Sequence, residues 1–112
     1  MKFERSDISM INNVTEAEII TEFNKFGAEE DDFVVLSKND MNYIQAALSD
    51  FEEEEGMLLE YQEGNLDKHF HATDTNITKD QVLAAFLLYL KADASWKEQF
   101  SWEKTVIEED DL

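Results

Sequence analysis

The sequence predicts an α+β fold, and three observations lead to it. Met57 to Ala72 alternates like a β-hairpin around Gly64-Asn65, two helix-start signals at Thr15 and Thr78 each precede an apolar stripe, and an aromatic helical segment follows the second stripe. Together they predict an N-terminal helix, a four-stranded antiparallel β-meander, a long core helix and a short aromatic C-terminal helix packed on the sheet.

Met1 to Asn13 has mixed polarity and no clear period, so it is read as a frayed terminus or a short edge element. The first helix starts at Thr15, whose side chain can cap the amide of Glu18 while the Glu18 carboxylate returns to the amide of Thr15. Val14 and Ile19 stand where a hydrophobic staple closes over that cap. Ile19, Ile20, Phe23 and Phe26 make the apolar stripe, and Gly27 is a suitable left-handed stop.

Phe33-Val34-Val35-Leu36 reads as the first strand and Tyr43 to Leu48 as the second, although the alanines of the latter also suit a helix. The hairpin supplies strands three and four. With Gly64-Asn65 as a two-residue type II′ loop, Leu59 faces Phe70, Glu60 faces His69 and Tyr61 faces Lys68. Met57, Leu59, Tyr61, Leu66, Phe70 and Ala72 then share the core side. Glu60, Gln62, Asp67, His69 and His71 take the other, with Leu58 the one apolar residue among them.

Ile77-Thr78-Lys79-Asp80-Gln81-Val82 repeats the staple and cap of the first helix. Leu83, Phe86, Leu87 and Leu90, widened by Val82 and Tyr89, form the face that should lie across the sheet, and Lys91 suits the C-terminus. Asp93 or Ser95 can cap a further short helix. Its Trp96, Phe100 and Trp102 more often close one end of a small core than bind a ligand.

The chain has 112 residues, enough for one domain that buries about 60 to 70% of its unfolded surface. Residues 1 to 112 are accordingly read as a single domain, with 1 to 13 and 105 to 112 as its mobile ends. A hydrophobic fraction of 43%, with eight Phe, two Trp and three Tyr, supports a packed core. The absence of cysteine excludes disulfides, thiolate metal sites and a cysteine nucleophile. No apolar run is long enough for a signal peptide or a membrane span, so a cytoplasmic protein without membrane contact is expected.

The formal net charge of −18 disfavours direct nucleic-acid binding and favours a basic protein surface as partner, with simple solubility as the plainer reading. The meander decides between them. In it, Glu29, Glu30, Asp31 and Asp32 before the first strand, and Glu52, Glu53, Glu54 and Glu55 between the second and third, converge at one end of the sheet. Lys79 to Lys104 is balanced in charge by contrast, so the acidity is asymmetric and the eight acidic residues are the candidate partner-binding set.

Among other chemistries, Glu60, His69 and His71 are the one constellation resembling a metal site, because residues two apart on a strand point the same way. An His-x-His pair on a polar strand face is more often simply exposed, so no metal, cofactor or catalytic residue is assigned. The runs lack the alternating aspartates of an EF-hand, and no phosphate-binding loop, nucleophile elbow or zincin helix occurs.

The order Tyr43-Ile44-Gln45-Ala46, Leu59 to Gly64, His69-Phe70-His71-Ala72, Ala85-Phe86-x-x-Tyr89-Leu90 and Trp96-x-x-x-Phe100-x-Trp102-Glu103 resembles a family of short uncharacterised bacterial proteins over about Phe33 to Glu103. Small proteins of that look are sometimes encoded beside polymorphic toxins as immunity proteins. By that analogy the resemblance implies a bacterial protein of immunity or inhibitor type and supplies no catalytic residues. With the missing catalytic motifs and the acidic bias, the expectation is a binding protein, not an enzyme, for a basic partner of which a toxin is one candidate. A metal-binding protein or metal-dependent enzyme using Glu60, His69 and His71 is the alternative. A nucleic-acid mimic is a third reading, and the polar face of the hairpin also offers a surface for a homodimer.

Overall fold

The computed structural model describes residues 1–5, 10–26, 32–48, 57–74 and 77–105. Its strands are β1 (Lys2–Arg5), β2 (Met10–Ile11), β3 (Phe33–Asn39), β4 (Asn42–Leu48), β5 (Met57–Glu63), β6 (His69–Ala72) and β7 (Trp102–Lys104). Two α-helices, α1 (Glu16–Lys25) and α2 (Lys79–Leu90), and two 3₁₀ segments, Leu66–Lys68 and Ala94–Gln99, complete the described chain. The seven strands form one antiparallel sheet in the order β2-β1-β3-β4-β5-β6-β7.

The expected four-strand meander is the centre of this sheet, from β3 to β6, and the Tyr43 to Leu48 stretch is strand. Three further strands flank it. Of the two readings of the N-terminal residues, a frayed terminus or a short edge element, the second holds, as β1 and β2, because Phe3 has a core to enter: it is 1% exposed and its ring lies 6.4 Å from those of Phe23 and Phe86. Pairing also satisfies backbone groups that a loose terminus would leave to water.

Both helix starts form as the sequence requires. Thr15 accepts from the Glu18 amide and the Glu18 carboxylate accepts from the Thr15 amide; Thr78 and Gln81 repeat the exchange. The staple residues Val14, Ile19, Ile77 and Val82 are all buried. At the far end of α1, Lys79 Nζ donates to the Phe26 carbonyl at 2.8 Å, so the start of α2 closes the end of α1. Gly27, expected to stop α1, lies outside the described residues.

The helices use slightly different faces from those expected. Ile19 and Phe23 are buried on α1, whereas Ile20 is 39% exposed. On α2 the buried residues are Val82, Ala85, Phe86 and Tyr89, one position round from the expected leucines, which are half-buried. Phe86 sets that rotation by lying edge-on to Phe23 at 5.2 Å and to Phe3. With α1 on one side and the Ala94–Gln99 segment on another, α2 stays apolar nearly all round.

The hairpin register differs from the expected one by two residues. Tyr61 pairs with Phe70, Glu60 with His71 and Gln62 with His69. Gly64 has the expected positive φ of 89°, but Asn65 caps a 3₁₀ turn by accepting from the Asp67 amide, so the connection runs from Gly64 to Lys68. This register stacks Tyr61 on Phe70 at 5.1 Å. A shift of two keeps the paired side chains on their faces, and the core assignments of Leu59 and Tyr61 stand, whereas Leu66 and Asp67, expected on the two faces of the strand, lie in the 3₁₀ turn instead.

The aromatic C-terminal helix is replaced by two pieces, the 3₁₀ segment Ala94–Gln99 and β7. Asp93 caps the first through the Ser95 amide, and this backbone hydrogen bond holds its carboxyl below the usual range. Trp102 then pairs with Ala72 at the edge of β6. Trp96 and Trp102 meet the Tyr61 ring edge-on at 4.9 and 4.7 Å and close that end of the core.

Candidate functional site

Both helices pack on one face of the sheet, which leaves the other open. Strand alternation sends Phe3, Leu36, Ile44, Leu59 and Tyr61 under the helices, and their neighbours outward in three rows. The first is Phe33, Ala47 and Leu58. The second is Glu4, Val35, Gln45, Glu60, His71 and Glu103, and the third is Lys2, Ser37, Tyr43, Gln62 and His69.

The first two rows make a groove. Ala47 lies between Phe33 and Leu58, whose strands stand roughly 10 Å apart at the usual spacing, and its single methyl leaves the floor low. Phe33 is 41% exposed and Leu58 48%. The groove has a volume of about 390 Å³ and is lined by these residues with Val35, Gln45, Ala46 and Glu60.

The third row is a fastened polar cluster. Gln62 Nε2 donates to the Met41 carbonyl, which turns its Oε1 toward Tyr43 and His69. Oε1 accepts from Tyr43 Oη at 3.2 Å and lies 3.1 Å from His69 Nδ1, an arrangement that places the His69 proton on Nδ1. Nε2 is left to face Glu60 at 3.7 Å. Glu60 in turn accepts from Gln45 Nε2 at 2.5 Å. Burial, followed by the Glu60 charge, pushes the Tyr43 phenol up, so it remains a neutral donor at ordinary pH.

The sequence-expected residues fall into three groups. Glu29, Glu30, Asp31 and Glu52 to Glu55 lie outside the described residues. Asp32, expected on the acidic surface, is instead 1% exposed and paired with Arg5 at 3.3 Å, while Arg5 also reaches Glu22 at 3.2 Å. The guanidinium of β1 draws it inward.

Glu60, His69 and His71 do share the face opposite the helices, but it is not the exposed polar surface expected, since His69 is 8% and Gln62 2% exposed, and their arrangement serves other contacts. His69 Nδ1 faces Gln62, and His71 Nδ1 lies 2.8 Å from Thr105 Oγ1. Among the described residues no group of three His, Asp or Glu side chains could hold a metal ion.

Sequence reasoning missed the groove. Two signals for it were present: Leu58, the apolar exception on a polar strand face, and Phe33 to Leu36, apolar at four successive positions. Such a run supplies both faces of a strand. Comparison with protein-family models, curated proteins and solved structures finds no match, so the site is read from its geometry. No helix of the described residues is long and apolar enough to cross a membrane.

Proposed function

We propose that this is a small acidic binding protein of the immunity or inhibitor type, not an enzyme, acting in the bacterial cytoplasm on a basic protein partner such as a toxin. The observation that carries the reading is the exposed pair Phe33 and Leu58 on the uncovered face, beside the points where both acidic runs join the sheet. Phe33 pairs with Ala47, Ala47 with Leu58 and Leu48 with Met57. Phe33, Leu48 and Met57, the strand residues next along the chain from these two runs, thus stand at one end of the sheet. Apolar surface supplies the contact energy of such an interface, and surrounding acidity supplies fast, salt-sensitive encounter.

Association with the protein encoded by the adjacent gene, measured at low and high salt, tests this. Binding should slow several-fold as salt rises, and should lose that dependence when Glu52, Glu53, Glu54 and Glu55 are all changed to Gln. No binding, or binding indifferent to both salt and substitution, would sink the proposal. The nucleic-acid mimic has less support, since Glu4, Glu60 and Glu103 share the second row with apolar and imidazole side chains instead of forming an unbroken acidic line.

A further inference from the structure

We infer that the groove between Phe33 and Leu58 is a socket for one apolar side chain of the partner, next to a lysine or arginine whose charge reaches Glu60. This rests on the binding reading above and specifies the partner's chemistry. The socket has apolar walls, Phe33 and Leu58, a floor set by Ala47, and a far end closed by Val35, Gln45 and Glu60. One side chain of leucine or phenylalanine size fits between strands roughly 10 Å apart.

Charge identifies the rest of the occupant. Glu60 is the one charged residue lining the groove, and its side chain is 34% exposed. Its partners are the neutral amide of Gln45 and the imidazole of His69; among the described residues no lysine or arginine pairs with it. Glu4, Glu16, Glu22 and Glu63 each have such a cation, from Lys2, Lys91, Arg5 and Lys97, whereas Glu18, Glu98 and Glu103 share its lack among the described residues; of these four, Glu60 is the one that lines the groove. Glu60 is thus held between Gln45 and His69, with no lysine or arginine at its carboxylate among the described residues.

The rest of the sequence offers no further lysine or arginine for Glu60. Residues 6–9, 27–31, 49–56, 75–76 and 106–112 contain no lysine or arginine. A second copy would bring another net charge of −18 and another Glu60 against the first. A lysine or arginine meeting Glu60 at the groove would therefore come from a different, basic molecule.

The test uses the full chain with methyl-labelled Leu, Val and Ala, observed by NMR while acetyl-Leu-Arg-amide, acetyl-Leu-Glu-amide or acetyl-Gly-Arg-amide is added. Acetyl-Leu-Arg-amide should shift the Val35, Ala47 and Leu58 methyls saturably, about three- to five-fold more tightly than the other two, as one part-exposed charge pair allows. Glu60→Gln should erase the advantage over acetyl-Leu-Glu-amide, and Leu58→Asp should abolish the shifts at Val35 and Ala47.

Equal affinity for the Arg and Glu peptides, or shifts confined to other parts of the molecule, would overturn the inference. So would groove methyls that move with protein concentration alone, indicating a second copy, or on replacement of the one aromatic residue of the 49–56 stretch, Phe51→Ala, indicating the chain's own segment. If the groove stays silent while salt-sensitive partner association survives, the binding reading stands and this inference falls. Loss of that association with the groove still selective for acetyl-Leu-Arg-amide does the reverse.

Discussion

On the covered face of the sheet, Phe3, Leu36, Ile44 and Leu59 lie under Phe23 and Phe86 and are at most 1% exposed. On the open face, their immediate chain neighbours Glu4, Val35, Gln45 and Glu60 form a mixed row. The same strands build both. The covered face is constrained by packing density, where each apolar ring fits between others. The open face carries no such constraint, so Phe33 and Leu58 stay exposed without the fold requiring it. Apolar side chains that folding does not need are the ones available for a partner.

That contrast can be broken most severely at Phe86. Phe86→Ala removes the ring between Phe3 and Phe23 and should cost about 3–5 kcal/mol, read as a lower urea midpoint at unchanged slope. Arg5→Ala comes next. It removes the guanidinium paired with the buried Asp32 carboxylate and should cost roughly 3 kcal/mol at neutral pH, read in the same titration.

The tyrosines sharpen the comparison without removing packing. Tyr89, buried on α2, has its pKa pushed up to about 12, first by burial and second by the Glu63 charge. Its folded pKa lies above the ordinary value of about 10, so its contribution is complete below about pH 10 and is lost as the pH rises toward 12. Tyr89→Phe should flatten the fall in stability over that window, and an ultraviolet titration should show one phenol ionising near pH 12. The smallest effect on folding belongs to the open face. Leu58→Asp should change stability by less than about 0.5 kcal/mol in chemical denaturation while removing partner binding.

What could be read in the chain was what is local. The capping boxes at Thr15 and Thr78, the staples beneath them and the side to which the paired hairpin residues Glu60 to Gln62 and His69 to His71 turn depend on spacings of a few residues, and each is present in the structure. Alternation decides the side of a strand, because a two-residue slip preserves it. The same periodicity leaves the slip itself undetermined, which is why Tyr61 meets Phe70 and not Lys68. The candidate metal residues show the same division. Their shared face was legible, whereas the contacts of His69 with Gln62 and of His71 with Thr105 come from other strand positions and the chain beyond β7.

The sequence by itself thus determined an α+β chain, its helix starts, its central meander and a strong acidic bias. Tertiary structure alone decided that β1 and β2 join the sheet, that Trp102 leaves a helical reading to edge β6, that Asp32 turns inward to Arg5, and that Phe33, Ala47 and Leu58 line up as a groove. The reason is range. Caps and alternation are written within one turn or one strand, while each of these outcomes joins residues far apart in the chain, whose meeting is settled by what the rest of the core leaves uncovered.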